Sequence, residues 1–180
     1  MNSNFRWQVA AVSLVISLLV IFLLFFWREQ QLIQEPLFKY FKEQEEVKNI
    51  ELEKINNKIV ITADLRWVDN LPERLHNYEK NVSEIIGTDD FEIKLCDQRN
   101  PQLIDIYNSL HLFLYEGQRR GNYAEMKSNI EREILKHNVD QYRLYVDHKR
   151  IYIQLLKGGH YLYQIINIPE GEEVLITNAS

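Results

Sequence analysis

The sequence predicts an α+β protein with a single N-terminal transmembrane helix, followed by one small domain in which a helical hairpin packs on a largely antiparallel sheet. Three observations carry this. A long uncharged apolar run opens the chain, three segments with helical spacing and Asn caps occupy its middle, and its last third turns to β-branched and aromatic strands.

Trp7 to Trp27 is 21 residues without a charge, and within it Val9 to Phe26 is interrupted only by Ser13 and Ser17. As a helix, that inner stretch spans roughly 27 Å, close to the hydrocarbon thickness of a bilayer. The two tryptophans fall where amphipathic rings favour the interfaces. No small-residue cleavage site follows the apolar core, which runs into Phe25, Phe26, Trp27, Arg28 and Glu29, so the segment reads as an uncleaved signal anchor. The expected layout is a short tail at 1–6, the span at 7–27, a juxtamembrane stalk at 28–49 and a soluble domain at 50–180. A tiny basic tail carrying Arg6 places the N-terminus inside and the domain outside the cytoplasm, whereas counting Lys and Arg after the span favours the reverse.

Beyond the span, Arg28 to Asn49 is polar and helix-prone, with Pro36 at the expected restart of a helix. Ile50–Ile55 and Lys58–Leu65 flank Asn56 and Asn57, which suit a tight hairpin turn, although the first arm also fits a continued helix. Asn70 with Glu73 caps a helix bearing Leu71, Leu75, Tyr78, Val82, Ile85 and Ile86, and Gly87 ends it. Phe91, Ile93 and Leu95 alternate with polar residues as a half-buried strand.

Asn100 and Pro101 open a second helix that Gly117 is expected to close, and Asn122 with Glu125 opens a third carrying Met126, Ile130, Ile134 and Leu135. Tyr142–Val146, Ile151–Leu156 and Tyr161–Ile168 then form a meander, with a turn at Pro169–Gly171 and an edge strand at Val174–Ile176. Pairing Val146 with Ile151 and Lys157 with His160 puts Ile151, Ile153 and Leu155 on one face. The other face carries Tyr145, Tyr152, Leu156, Tyr161, Tyr163 and Ile165. Tyrosine-rich surface is typical of interaction sites, so this face is the expected partner-binding site unless the N-terminal hairpin or a helix covers it.

Little else points to chemistry. The net charge is −5, and beyond residue 27 it is 20 − 26 = −6, which argues against nucleic acid as a partner. Cys96, the one cysteine, reads as a half-buried structural thiol and excludes an internal disulfide. His76, His111, His137, His148 and His160 show no ligand spacing, and the scattered glycines build no phosphate cradle, so no metal, cofactor or catalytic residue is expected. Arg119 and Arg120, between Gly117 and Gly121, are the candidates for an anionic contact.

The order strand, helix, helix, strand, strand from Phe91 onward resembles that of polypeptide-transport-associated modules, which act as interaction platforms, and of ring-building domains in secretion and spore-assembly proteins. The peptidoglycan-binding signature of outer-membrane-protein-A-type domains does not match, because AspGlnArgAsnPro follows the strand at Phe91–Cys96. The reading is therefore a single-pass, non-catalytic interaction or assembly protein at the cell envelope. Its partners would be membrane lipid around the anchor, a protein, and a further copy of itself as a homo-oligomer. The alternative is a membrane-tethered enzyme or ligand sensor whose site forms no motif.

Overall fold

The computed structural model describes residues 3–56 and 58–169, with side-chain surroundings for all of these except 3–6 and 25–31. The expected edge strand at Val174–Ile176 and most of the Pro169–Gly171 turn lie outside the described residues. Helix α1 (Ser3–Glu29) continues through a π-helical stretch, Gln30–Gln34, into α2 (Glu35–Lys42). Gln34 is itself helical, so the chain does not break and restart at Pro36. Pro36 has no N–H for the carbonyl four residues back, and the wider π turn ahead of it takes up that mismatch.

Strands β1 (Val47–Ile55), β2 (Lys58–Leu65) and β3 (Phe91–Cys96) form one three-stranded sheet in the order β1-β2-β3. Strand β1 starts three residues before the expected first arm at Ile50 and settles the hairpin against a continued helix. Asn56 takes a positive φ of 51° in the turn. Helix α3 (Leu71–Ile86) lies between β2 and β3 in sequence. Its Asn70 side chain accepts from the Glu73 amide and donates to the Glu73 carboxylate, the expected capping box.

Helices α4 (Pro101–Arg120) and α5 (Tyr123–Ile134) make the helical hairpin, capped by Asn100 on the Leu103 amide and Asn122 on the Glu125 amide. Strands β4 (Gln141–Val146), β5 (Arg150–Lys157) and β6 (His160–Asn167) form a second three-stranded sheet, antiparallel throughout, in the order β4-β5-β6. The pairing Val146 with Ile151, Leu144 with Ile153 and Tyr142 with Leu155 is the expected one, as is Lys157 with His160.

One sheet was expected, and two are found. The chain divides into two compact units, one of Met1–Ala63 with Asn77–Lys94, the other of Asp64–His76 with Leu95–Ser180. Strand β2, helix α3 and strand β3 each run from one unit into the other. In the first unit, Leu37 and Phe41 of α2 are fully buried, and Phe41 meets Tyr78 with ring centroids 5.2 Å apart. The Tyr78 hydroxyl donates to the Glu46 carboxylate at 2.7 Å. This aromatic clamp fixes the end of the long helix to α3.

In the second unit, Leu103, Ile106, Leu110 and Leu114 of α4 and Met126, Ile130 and Ile134 of α5 share a core with Ile151, Ile153, Leu155 and Leu162. Two sequence readings need correction here. Gly117 does not close α4, which runs on to Arg120 and ends at Gly121 with φ +66°. Gly117 sits inside the helix because a Cβ there would lie 2.5 Å from Cβ of Met126, so its missing side chain lets α5 approach. Leu135 is 79% exposed rather than core, since α5 ends at Ile134 and the next residue leaves the apolar stripe.

Candidate interaction surfaces

The tyrosine-bearing face of β4-β5-β6 forms with the expected membership, but it is a covered face. Tyr152, Tyr161 and Tyr163 are buried, Tyr145, Leu156 and Ile165 partly so. Over it runs the connection from the end of β2 to the start of α3, residues Leu65 to Leu71, laid across the sheet as a strap.

Side chains of the sheet hold the strap by its main chain. The Tyr161 hydroxyl donates to the Leu65 carbonyl at 2.6 Å, and the Tyr163 hydroxyl donates to the Arg66 carbonyl at 2.7 Å while accepting from the Val68 amide at 2.8 Å. Gln154, the one polar residue fully buried among the described residues, donates to the Val68 carbonyl at 2.6 Å and accepts from the Leu71 amide at 3.3 Å. The Tyr145 hydroxyl reaches the Asp69 carbonyl at 3.2 Å. Trp67 stacks on Tyr163 with centroids 6.0 Å apart. A segment without a ladder must still satisfy its buried amides and carbonyls, and these tyrosines and Gln154 do so. Burial pushes the Tyr163 phenol above its ordinary value, so the hydroxyl stays protonated and able to donate.

The free edge of β6 is also tied. Asp97, whose side chain is 2% exposed, accepts from the Tyr163 amide and from the Arg99 guanidinium at 2.7 Å, and Arg99 donates on to the Tyr163 carbonyl. The hydrogen bond to Asp97, followed by its charge, raises the Arg99 pKa against the opposing effect of burial. Neighbouring Cys96 is exposed, not half-buried as expected, because the β3 alternation turns it away from the core.

Ser109, His137 and Glu133 lie together, yet Oγ of Ser109 and Oε1 of Glu133 both meet Nε2 of His137, each at 3.4 Å. A nucleophile and an orienting carboxylate must sit on opposite ring nitrogens for the imidazole to pass a proton, so this geometry does not make a triad. The described residues contain no group of three or more His, Cys, Asp or Glu placed to hold a metal.

Arg119 and Arg120, the anion-contact candidates, are both exposed in the last turn of α4. Arg120 is paired within its own helix to Glu116 at 2.8 Å. Arg119 makes no side-chain hydrogen bond or ion pair among the described residues. Along the same helix, Ile104, Leu112 and Tyr115 are exposed. The signal for this stripe was present in the sequence, since Leu112 and Tyr115 fall outside the core-facing positions Leu103, Ile106, Leu110 and Leu114. No protein family, curated protein or solved structure matches the chain, so the resemblance in element order carries no further argument.

Proposed function

We propose that the chain is a single-pass membrane protein, non-catalytic, whose α+β region lies outside the cytoplasm and binds protein partners at the cell envelope. The observation that carries this reading is the helix Trp7–Leu24, 18 residues apolar enough to cross a membrane and with none of them buried against the rest of the chain. A helix apolar all round and uncovered by its own protein has lipid as its natural surroundings. The clamp of Leu37, Phe41 and Tyr78 supports an anchor that holds folded structure at the membrane rather than a loose leader. The exposed stripe on α4 supports protein binding, because the tyrosine face is occupied by the strap.

The test is accessibility in intact cells. Protease added to spheroplasts should remove the region beyond residue 28 and leave a membrane-embedded stub. Survival of the full chain until lysis would reverse the orientation, and recovery of the chain in the soluble fraction would remove the anchor altogether. A photoreactive residue placed at Tyr115 should give cross-linked protein adducts in membranes, whereas adducts to lipid alone would count against a protein-binding role.

A further inference from the structure

Helix α4 carries two opposite charges at symmetric positions around its most exposed apolar residue. Asp105, Leu112 and Arg119 are spaced by seven residues, close to two helical turns, so they share one side of the helix. Leu112 is 68% exposed, with Tyr115 at 53% and Ile104 at 39% beside it. Neither Asp105 nor Arg119 has a side-chain partner among the described residues. Lying about 21 Å apart along the axis, they cannot meet within one chain. The adjacent Arg120, by contrast, is already paired to Glu116.

We propose that a second copy of this chain docks on this stripe, with two α4 helices packed antiparallel about a two-fold axis at Leu112. Seven residues lie on each side of Leu112, so the axis that brings Leu112 onto its own copy also brings Asp105 of each chain onto Arg119 of the other. An isologous contact repeats every interaction, and one complementary pair thus becomes two. The anion that Arg119 meets is then a carboxylate of this same protein. Ile104 and Tyr115 lie along one side of the seam and add apolar contact beside Leu112.

A single helix pair is small for a dimer of freely diffusing proteins. The inference therefore rests on the membrane-anchor reading, since copies held in one bilayer meet at effective concentrations on the order of millimolar. It narrows that reading by naming one partner, a second copy of the chain.

The test uses the full-length protein in membranes with Cys96→Ser, which leaves no native thiol. Leu112→Cys should form a disulfide dimer under mild oxidation, because the axis places each Leu112 against its own copy. Lys127→Cys, on the exposed side of α5, serves as the control and should not form one. In the Leu112→Cys background, Asp105→Arg or Arg119→Asp alone sets like charges against each other at both ends. Each should lower dimer yield about tenfold, two attractions having become two repulsions of surface-pair size. Coexpressing the two charge variants restores an opposite pair at both ends and should recover the dimer.

Equal cross-linking from Leu112→Cys and Lys127→Cys would overturn the proposal. So would failure of the mixed charge variants to recover, which would refute the antiparallel register even if the chains associate through their membrane helices. The readout does not depend on which side of the membrane the region occupies, so a wrong orientation and a wrong interface give separate results.

Discussion

Gln154 offers the sharpest test of how the second sheet is closed. Its amide is fully buried and bridges the Val68 carbonyl and the Leu71 amide, 86 and 83 residues earlier in the chain. Gln154→Leu keeps nearly the same volume but leaves both strap groups without partners, and Val68 and Leu71 are themselves buried. Each orphaned group costs about 1–3 kcal/mol. The more apolar side chain returns about 1 kcal/mol, for a net loss of about 1–5 kcal/mol. Gln154→Glu separates the two bonds, since a carboxylate still accepts from Leu71 but can meet the Val68 carbonyl only when protonated. Its folded pKa is therefore raised above the unfolded value, so it is least destabilising below about pH 4 and more so as pH rises. The assay is urea unfolding of the detergent-solubilised full chain, followed by Trp67 emission with Trp7 and Trp27 replaced by Phe. An unchanged midpoint for Gln154→Leu, with Trp67 still in its native environment, would refute the strap as the source of closure.

Two further outcomes are expected. Leu110 and Ile130, both at the centre of the core between the helical hairpin and the sheet, should each cost about 2–5 kcal/mol when cut to Ala, read as a lower thermal midpoint. Asp147 is partly desolvated, which would raise its pKa, but the amides of Lys149 and Arg150 and the Tyr152 hydroxyl outweigh this and hold it below the ordinary carboxylate value. A depressed carboxylate stabilises the fold above its unfolded pKa and loses that contribution as pH falls through the folded value, so Asp147→Asn should flatten the fall in unfolding midpoint below about pH 4.

The parts of this fold governed by neighbours in sequence were legible. Asn70, Asn100 and Asn122 cap helices as read, and the meander register follows from two turn assignments, because alternation leaves no freedom once a turn is placed. The strap was not legible, since its partners lie 76 to 97 residues away and nothing in Arg66, Trp67 or Val68 announces them. Gln154 was the missed signal, an amide among Ile, Tyr and Leu in a strand with two apolar faces. Gly117 was misread for a related reason. A glycine near a helix end resembles a stop until Met126 is known to press on it.

The strap also orders events during synthesis. Residues 65–71 leave the ribosome long before Gln154, Tyr161 and Tyr163 exist, and Tyr163 follows Val68 by 95 residues. At translation rates of 5–20 residues per second, Trp67, Val68 and Leu71 wait about 5–20 s for the surface that shelters them. Throughout that interval a greasy, extended piece of nascent chain is open to chaperones and to misassociation. Strands made about 95 residues later are the ones that put it away. A truncation before β6 would thus leave a chain that cannot protect a segment made long before it.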